Sequence, residues 1–599
     1  MDMLKAIRGS LLFISFVLLV LIGCGGGSTP PPPPVPMVSP TSATVALSAT
    51  QQFNLTSGTG TGAILTATWS VNGVQGGNST VGTIDSTGKY TAPASFPSPN
   101  TLTVTGTATT GVGTGTANLM VVFPNDNHLA QSAPVKLGTT GGNATDFVDN
   151  GTSRTCCSGT LGSLLQRGGT FFVLSNNHVL NKSDTGSVGQ AIQQPGLVDN
   201  QCDVTGAPPA PTVGTMSEAA ALKPTTIITT GPCAGQPAPC GDAPSNVDAA
   251  IAAIVTGQVD TTGTILDLGA AGASSIAAAP PSATLATPSA VLAANEGVAK
   301  SGRSTGLTCS TLQAVNVTVS VVYDASCGGA HAFTAVFNNQ VIVNGGSFSA
   351  AGDSGSLIVT SDTARPVALL YGGNTTTTSA NPIQDVITAF TNGSGTPAIV
   401  GATDHPVSCV PTGNLPSAPP GPSAFAALSS QERERAFAAQ RKNAPALMQD
   451  PAVRSVIAGA SLDNPQEGAL VIQVSGDKRS PIPAVIDGVR TRIVAATQTL
   501  PAPLPVLNAQ DMDQAIAVKD DHADALMSQP GGGVQGVGVG RSDDNPAEAA
   551  IVIYVVTGVE RPAIPATLDG IRTKIVKGDR FRAFGWGKET APATKCTKK

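Results

Sequence analysis

Apolar and polar positions alternate in short runs through the N-terminal part of the chain. Between 37 and 122 the runs are Ala43-Thr-Val-Ala-Leu, Gln52-Phe-Asn-Leu, Ala67-Thr-Trp-Ser-Val, Tyr90-Thr-Ala-Pro and Leu102-Thr-Val-Thr. Turn signals such as Asn72-Gly73 and Thr87-Gly88 separate them. A period of two is the spacing of a strand with one buried face. Roughly seven short strands in about 85 residues predict a β-sandwich, with Trp69 in its core.

From 125 to 400 the strand pattern continues. Gly159-Thr-Leu-Gly-Ser-Leu-Leu and Thr170-Phe-Phe-Val-Leu-Ser flank a Gly168-Gly169 turn. Later runs are Val315-Asn-Val-Thr-Val-Ser-Val-Val-Tyr, Gln340-Val-Ile-Val-Asn, Gly355-Ser-Leu-Ile-Val-Thr and Val367-Ala-Leu-Leu-Tyr. The Ala- and Pro-rich stretch 257–297 reads as a connector between two β-units.

After 425 the period changes and a repeat begins. Asp463-Asn-Pro-Gln-Glu-Gly-Ala-Leu-Val-Ile-Gln-Val recurs from Asp544, and Pro481-Ile-Pro-Ala-Val-Ile-Asp-Gly-Val-Arg-Thr-Arg-Ile-Val recurs from Pro562. Each copy follows a predicted helix, one starting near Ser429 with Glu432 completing a capping box, the other near Asn508. Each unit therefore reads helix–strand–strand–strand, and two copies predict a tandem pair rather than a solenoid. Arg490, Arg492, Arg572 and Lys574 alternate along the strands, the pattern of a solvated face.

Composition narrows the classes. The chain has 599 residues, more than one core accommodates. Only 12% are charged, which excludes a coiled coil and a charged disordered chain. A net charge of −6 leaves no basic footprint for nucleic acid. About 40 of the 70 charged residues follow position 420, which marks a domain change there.

The N-terminus reads as an export signal. Lys5 and Arg8 precede an apolar run, Leu11 to Ile22, that is shorter than the roughly 20 residues a bilayer span needs. The run ends in Leu21-Ile22-Gly23-Cys24, which resembles the bacterial lipoprotein box. That resemblance implies lipidation of Cys24 and anchoring in the cell envelope, at the outer membrane or cell surface. Residues 24–36 are a Gly- and Pro-rich tether. Eight of the ten cysteines lie between Cys156 and Cys409, an even number that predicts disulfides in an exported protein. Cys309 with Cys327, and Cys233 with Cys240, are the candidate pairs. Adjacent Cys156 and Cys157 are expected to take different partners, and Cys596 is left over.

Three segments carry candidate chemistry: Leu174-Ser-Asn-Asn-His178-Val-Leu, Ser245-Asn-Val-Asp248-Ala-Ala-Ile, and Gly352-Asp353-Ser354-Gly355-Ser356. Acyl transfer needs a hydroxyl nucleophile, a base to take its proton, and an anion to orient that base. A glycine turn beside the hydroxyl aims backbone N–H groups at one point, where they stabilise an oxyanion. Asp242, Asp260 and Asp267 compete with Asp248 for the third place, whereas His331 and His405 follow the Asp and read as packing or surface residues. Neither an HExxH motif nor zinc-like Cys spacing occurs, so no metal and no cofactor is expected.

The His–Asp–Ser order, with the Lys300-Ser-Gly-Arg-Ser-Thr-Gly-Leu-Thr run and Tyr371-Gly-Gly, resembles the bacterial branch of the trypsin-like (chymotrypsin-fold) serine proteases. The resemblance implies two six-stranded barrels with the site between them. It implies His178 as base, Asp248 as its orienting anion, Ser354 as nucleophile, and the amides of Gly352 and Ser354 as the oxyanion hole. Asp353 is then expected in a buried ion pair. Phe348 falls at the floor of the specificity pocket and Gly372-Gly373 at its wall. No Asp or Glu lies in 344–351, so an apolar substrate side chain is expected.

Val38-Ser-Pro, Trp69-Ser-Val-Asn-Gly and Gly88-Lys-Tyr-Thr-Ala-Pro resemble bacterial Ig-like domains. The expected order is thus signal peptide 1–23, tether 24–36, Ig-like sandwich 37–122, protease domain 125–400, Pro-rich linker 401–424, and α/β repeats 425–500 and 505–585. The expected function is a lipid-anchored endopeptidase acting on protein or peptide substrates, with the membrane as partner through Cys24 and no nucleic acid. The competing expectation is an inactive surface binding protein built on a protease fold.

Overall fold

The computed structural model describes residues 35–58, 62–110, 113–149, 153–203, 210–222, 247–323, 332–409, 423–475, 481–495, 504–529, 531–560, 563–584 and 596–597. Strand accounts for 44% and helix for 12%, so the chain is mostly β. Cys24, Cys233, Cys240, Asp242, Cys327 and His331 lie outside the described residues.

The N-terminal unit is built on a five-stranded sheet. Its order is Ser42–Ala46, Thr114–Val122, Thr101–Ala108, Ala67–Val71 and Val74–Gln75, with two smaller sheets beside it. In Thr101–Ala108 alternate residues face inward, as the period of two requires. Trp69 is buried with Phe53, Leu55, Tyr90 and Leu119. The backbone packs directly on its ring: a Cβ on Gly88 would come within 2.8 Å of the indole and one on Gly106 within 2.9 Å.

Two further sheets each return on themselves. In the first, Thr139–Asn143, Ala191–Gln193, Thr212–Ala219, Ala250–Ile254 and Thr170–Ser175 pair in succession. The run 159–167 closes this ring, since 163–167 pairs with 170–174 and 159–161 pairs with 139–141. In the second, Gly297–Gly302, Leu357–Thr360, Pro366–Gly373, Thr377–Pro382, Phe333–Asn344 and Gly306–Tyr323 pair in succession. Here 297–302 also pairs with 306–311, so six strands close. Leu161, Leu164, Val173, Leu174 and Ile251 fill the first core, which also takes in Ala299, Leu357 and Leu369 from the second sheet.

The strand Gly306–Tyr323 is 18 residues long, and its far edge pairs over 314–319 with Val534–Arg541 of the second repeat. The second repeat thus extends the second sheet. Leu507, Met512, Ala515 and Ile551 share one core with Val298, Phe348 and Ile358. Residues 401–409, within the expected linker, pack on the β-units, with Val407 buried and Cys409 bonded to Cys309. That disulfide corrects the expected pairing of Cys309 with Cys327. Cys309 sits on a sheet edge where the returning chain after 400 passes, and a sequence separation of 100 is bridged by packing. Cys156 pairs with Cys202.

Each repeat is a helix over three main strands, Ser430–Leu447 in the first and Ala509–Met527 in the second. Ser429 accepts a bond from the Glu432 amide, but the Glu432 carboxylate turns to the Gly468 amide rather than back to the cap. The repeats face one another about a local two-fold. Arg490 donates to the Thr573 carbonyl at 2.6 Å, and Arg572 donates to the Thr491 carbonyl at 2.7 Å. Arg490 also pairs with Glu467 and Arg572 with Glu548. These arginines are 1% and 2% exposed, so a solvated face is the wrong reading for them. Each guanidinium exchanges water for a carbonyl and a hydroxyl across the interface and a carboxylate of its own repeat, which makes its burial tolerable.

Candidate active site

His178 sits on the four-residue helix Asn177–Leu180 that follows the strand Thr170–Ser175. Asn177 pins this corner: its Nδ2 donates to Asp184 at 2.6 Å and to the Ala220 carbonyl at 2.7 Å. Asp248 lies two residues before the strand Ala250–Ile254, which pairs beside 170–175. Neighbouring strands of one sheet therefore bring these side chains together across 70 residues of sequence.

The Asp248 carboxylate is fully buried. It meets His178 Nδ1 at 2.6 Å and accepts the His178 backbone N–H at 3.2 Å. Tyr323 donates its hydroxyl to the same carboxylate at 2.7 Å. Asn381 holds the Asp248 backbone from both sides, accepting its N–H at 3.1 Å and donating to its carbonyl at 3.2 Å. A carboxylate on Nδ1 fixes the proton there and leaves the Nε2 lone pair free. Nε2 is buried and has no partner among the described residues. Burial and the charge of Asp248 push the Tyr323 hydroxyl well above the usual phenol range, so it remains a donor.

Ser354 lies on the facing sheet, on a turn that needs its glycines. Gly352 has φ +99° and Gly355 φ +96°. A Cβ on Gly352 would stand 2.4 Å from Ser304 Oγ, and one on Gly355 would stand 2.2 Å from the Thr160 carbonyl. Thr160 of the first sheet clips this turn of the second: its N–H donates to the Ser354 carbonyl at 2.8 Å and its hydroxyl to the Gly352 carbonyl at 2.9 Å. Asp353 turns inward, as expected, 3.4 Å from the buried Lys300 ammonium. It also accepts the Ser304 N–H at 2.8 Å, the Ala350 N–H at 2.9 Å and the Thr305 hydroxyl at 2.7 Å. Burial lowers the Lys300 pKa and the Asp353 charge opposes that shift.

Among the described residues no hydrogen bond joins Ser354 to His178. The Ser354 hydroxyl has two carbonyl acceptors instead, Phe584 at 2.9 Å and Tyr371 at 3.2 Å. Neither the Gly352 nor the Ser354 amide donates to a described protein acceptor. Gly372 and Gly373 end the strand Pro366–Gly373 beside the turn, and they pair antiparallel with Ala583 and Arg582. Phe348 is buried, its carbonyl accepting from Thr308 at 2.6 Å and its ring 5.9 Å from Lys300 Nζ.

Two of the competing aspartates, Asp260 and Asp267, stand elsewhere. Asp260 accepts from the Thr262 amide and hydroxyl in a turn. Asp267 is pushed up to about 6 by burial, with repulsion from Asp126 adding to it. His405 binds the carbonyls of Pro280 and Pro406. Tyr323, Thr160, Asn381 and Phe584 were not anticipated. Tyr323 closes the longest alternating run, but nothing local marks a tyrosine whose partner is 75 residues away. Among the described residues no group of three or more His, Cys, Asp or Glu side chains could hold a metal, and no helix is long and apolar enough to cross a membrane.

No protein-family model matches the chain, and no curated protein matches it either.

Proposed function

We propose that this protein is a serine endopeptidase of the chymotrypsin-fold type. It is carried behind an Ig-like stalk and anchored in the bacterial envelope through lipid on Cys24. The single observation that carries the reading is the Asp248–His178 contact of 2.6 Å with Nε2 left buried and unpaired among the described residues. Two rings of six strands with these residues at their junction support the fold assignment. In the mechanism that follows, His178 Nε2 takes the Ser354 proton as Oγ attacks a peptide carbonyl. Asp248 holds the imidazole in the accepting tautomer and faces the imidazolium that forms. The Gly352 and Ser354 amides receive the oxyanion. His178 returns the proton to the leaving amine, and water repeats the sequence on the acyl-enzyme.

A fluorophosphonate probe tests the proposal. Wild-type protein should be labelled on Ser354, and Ser354→Ala and His178→Ala should not. Absence of label on the folded wild-type chain would overturn it.

A further inference from the structure

The chain's own C-terminal segment pairs with the strand end beside the Ser354 turn. Arg582–Ala583 forms a strand against Gly372–Gly373, antiparallel, with Ala583 opposite Gly372 and Arg582 opposite Gly373. The Phe584 N–H continues the ladder to the Tyr371 carbonyl at 3.0 Å. This pairing brings the Phe584 carbonyl oxygen to 2.9 Å from Ser354 Oγ. With a C=O bond of about 1.23 Å, the carbonyl carbon lies no more than about 4.1 Å from the hydroxyl oxygen. Near-attack separations are about 3–3.5 Å.

The Phe584 ring has a prepared place. A Cβ on Gly373 would stand 2.8 Å from its Cζ, so only glycine leaves room for the ring. The ring packs on the apolar cluster that contains Phe348 and Leu370. The segment is delivered by the second repeat. Asn374 and Gln535 donate to the Asp579 carbonyl at 3.0 and 2.8 Å, and Phe581 is fully buried beside Tyr554. The Val322 N–H bonds the Phe581 carbonyl at 2.9 Å on the other side. A segment held on both edges in the same chain meets the nucleophile at a high effective concentration.

We infer that the chain cleaves itself after Phe584, and that the cleft selects an aromatic residue on the acyl side of the bond. The inference rests on the peptidase reading above. Ser354 Oγ adds to the Phe584 carbonyl carbon as its proton passes to His178 Nε2. The Phe584–Gly585 bond breaks, and Gly585 nitrogen leaves with that proton. Water then hydrolyses the Ser354 ester, giving a Phe584 carboxylate and the free hydroxyl. The leaving segment is 585–599, fifteen residues.

The test is intact mass of the full chain under denaturing, reducing conditions. These conditions matter because the 596–597 strand pairs with 153–154 and can hold a cleaved tail in place. Wild-type protein should end at Phe584, and Ser354→Ala should keep the tail. Tail loss should be first order, with a half-time unchanged on tenfold dilution. Phe584→Asp should keep the tail while retaining fluorophosphonate labelling on Ser354. Labelled wild-type protein with an intact tail overturns this inference alone. The absence of both labelling and cleavage overturns both readings. Tail loss from Ser354→Ala, or cleavage of Phe584→Asp at the same bond, also overturns the inference.

Discussion

Replacing Lys300 by Met removes the cation beneath the Ser354 turn and keeps most of the side-chain volume. Lys300 and Asp353 are both fully buried, 3.4 Å apart. At that separation the attraction is about 5 kcal/mol for an effective dielectric constant near 20. Removing one partner of a buried pair costs about 3–5 kcal/mol, because the other charge is left uncompensated. Asp353 would keep the Ser304, Thr305 and Ala350 N–H groups and the Thr305 hydroxyl. Those donors place the loss at the lower end, about 3 kcal/mol. The chain is too large and divided for one unfolding free energy, so the measurement should be local. Hydrogen exchange of peptides covering 297–306 and 349–358, read by mass spectrometry, should be about 10²-fold faster in Lys300→Met. Removing both charges with Lys300→Met and Asp353→Leu should recover part of the protection, since an apolar pair has no unpaired ion. Exchange within threefold of wild type in Lys300→Met would refute the reasoning.

Further expectations concern chemistry, pH and architecture. Asp248→Asn should lower kcat about 10⁴-fold, as the amide no longer fixes the accepting tautomer. Tyr323→Phe should cost about tenfold or more in kcat with little change in KM, since it removes one bond to a charged group; a wild-type kcat in either variant would sink the assignment. Asp463 is pushed up to about 6 by burial and by Asp544 across the repeat interface. Its folded pKa exceeds the unfolded value, so its contribution is complete below about 4 and is lost as pH rises through about 6. Asp463→Asn should therefore raise the melting temperature at pH 8 more than at pH 4, and equal shifts at the two pH values would contradict this. Truncation after residue 420 should yield insoluble or unlabelled protein, because it strips the 534–541 strand from the edge of 306–323 and opens the shared core; a soluble, probe-reactive fragment would count against that continuity. Cys24→Ala should release the protein from membranes in fractionation or leave an unprocessed precursor, and a mature membrane-bound variant would exclude the lipid anchor.

Local rules made much of this protein legible. Period-two alternation located strands such as Thr101–Ala108, because a half-buried strand needs nothing but its own pattern, and a short apolar run beside a Gly-Gly turn located Thr170–Ser175. The repeat located both helices and their caps at Ser429 and Asn508, because capping is satisfied within one turn. His178, Asp248 and the turn of Ser354 were visible as motifs, and the inward-turned Asp353 was what the resemblance of that motif implied.

Tertiary structure decided what depends on distant partners. Arg490 and Arg572 carry strong charges at alternating positions, and only the reciprocal carbonyls of the other repeat make their burial possible. Cys309 took Cys409 rather than Cys327 because the fold, not sequence distance, sets which sulfurs approach. Tyr323 reached Asp248 because the last turn of a strand in one ring abuts the other ring. The second repeat merged with the second ring because the 306–323 strand outruns its partners and leaves an edge of unpaired N–H and C=O groups. Such an edge costs free energy until another strand covers it. The same demand explains Arg582–Phe584, a short segment without a strong pattern of its own, which found its hydrogen bonds on Tyr371, Gly372 and Gly373. Alternation, capping and turns are satisfied within a few residues and can be read from them. Edges, buried charges and disulfides are satisfied only by whatever the fold brings close.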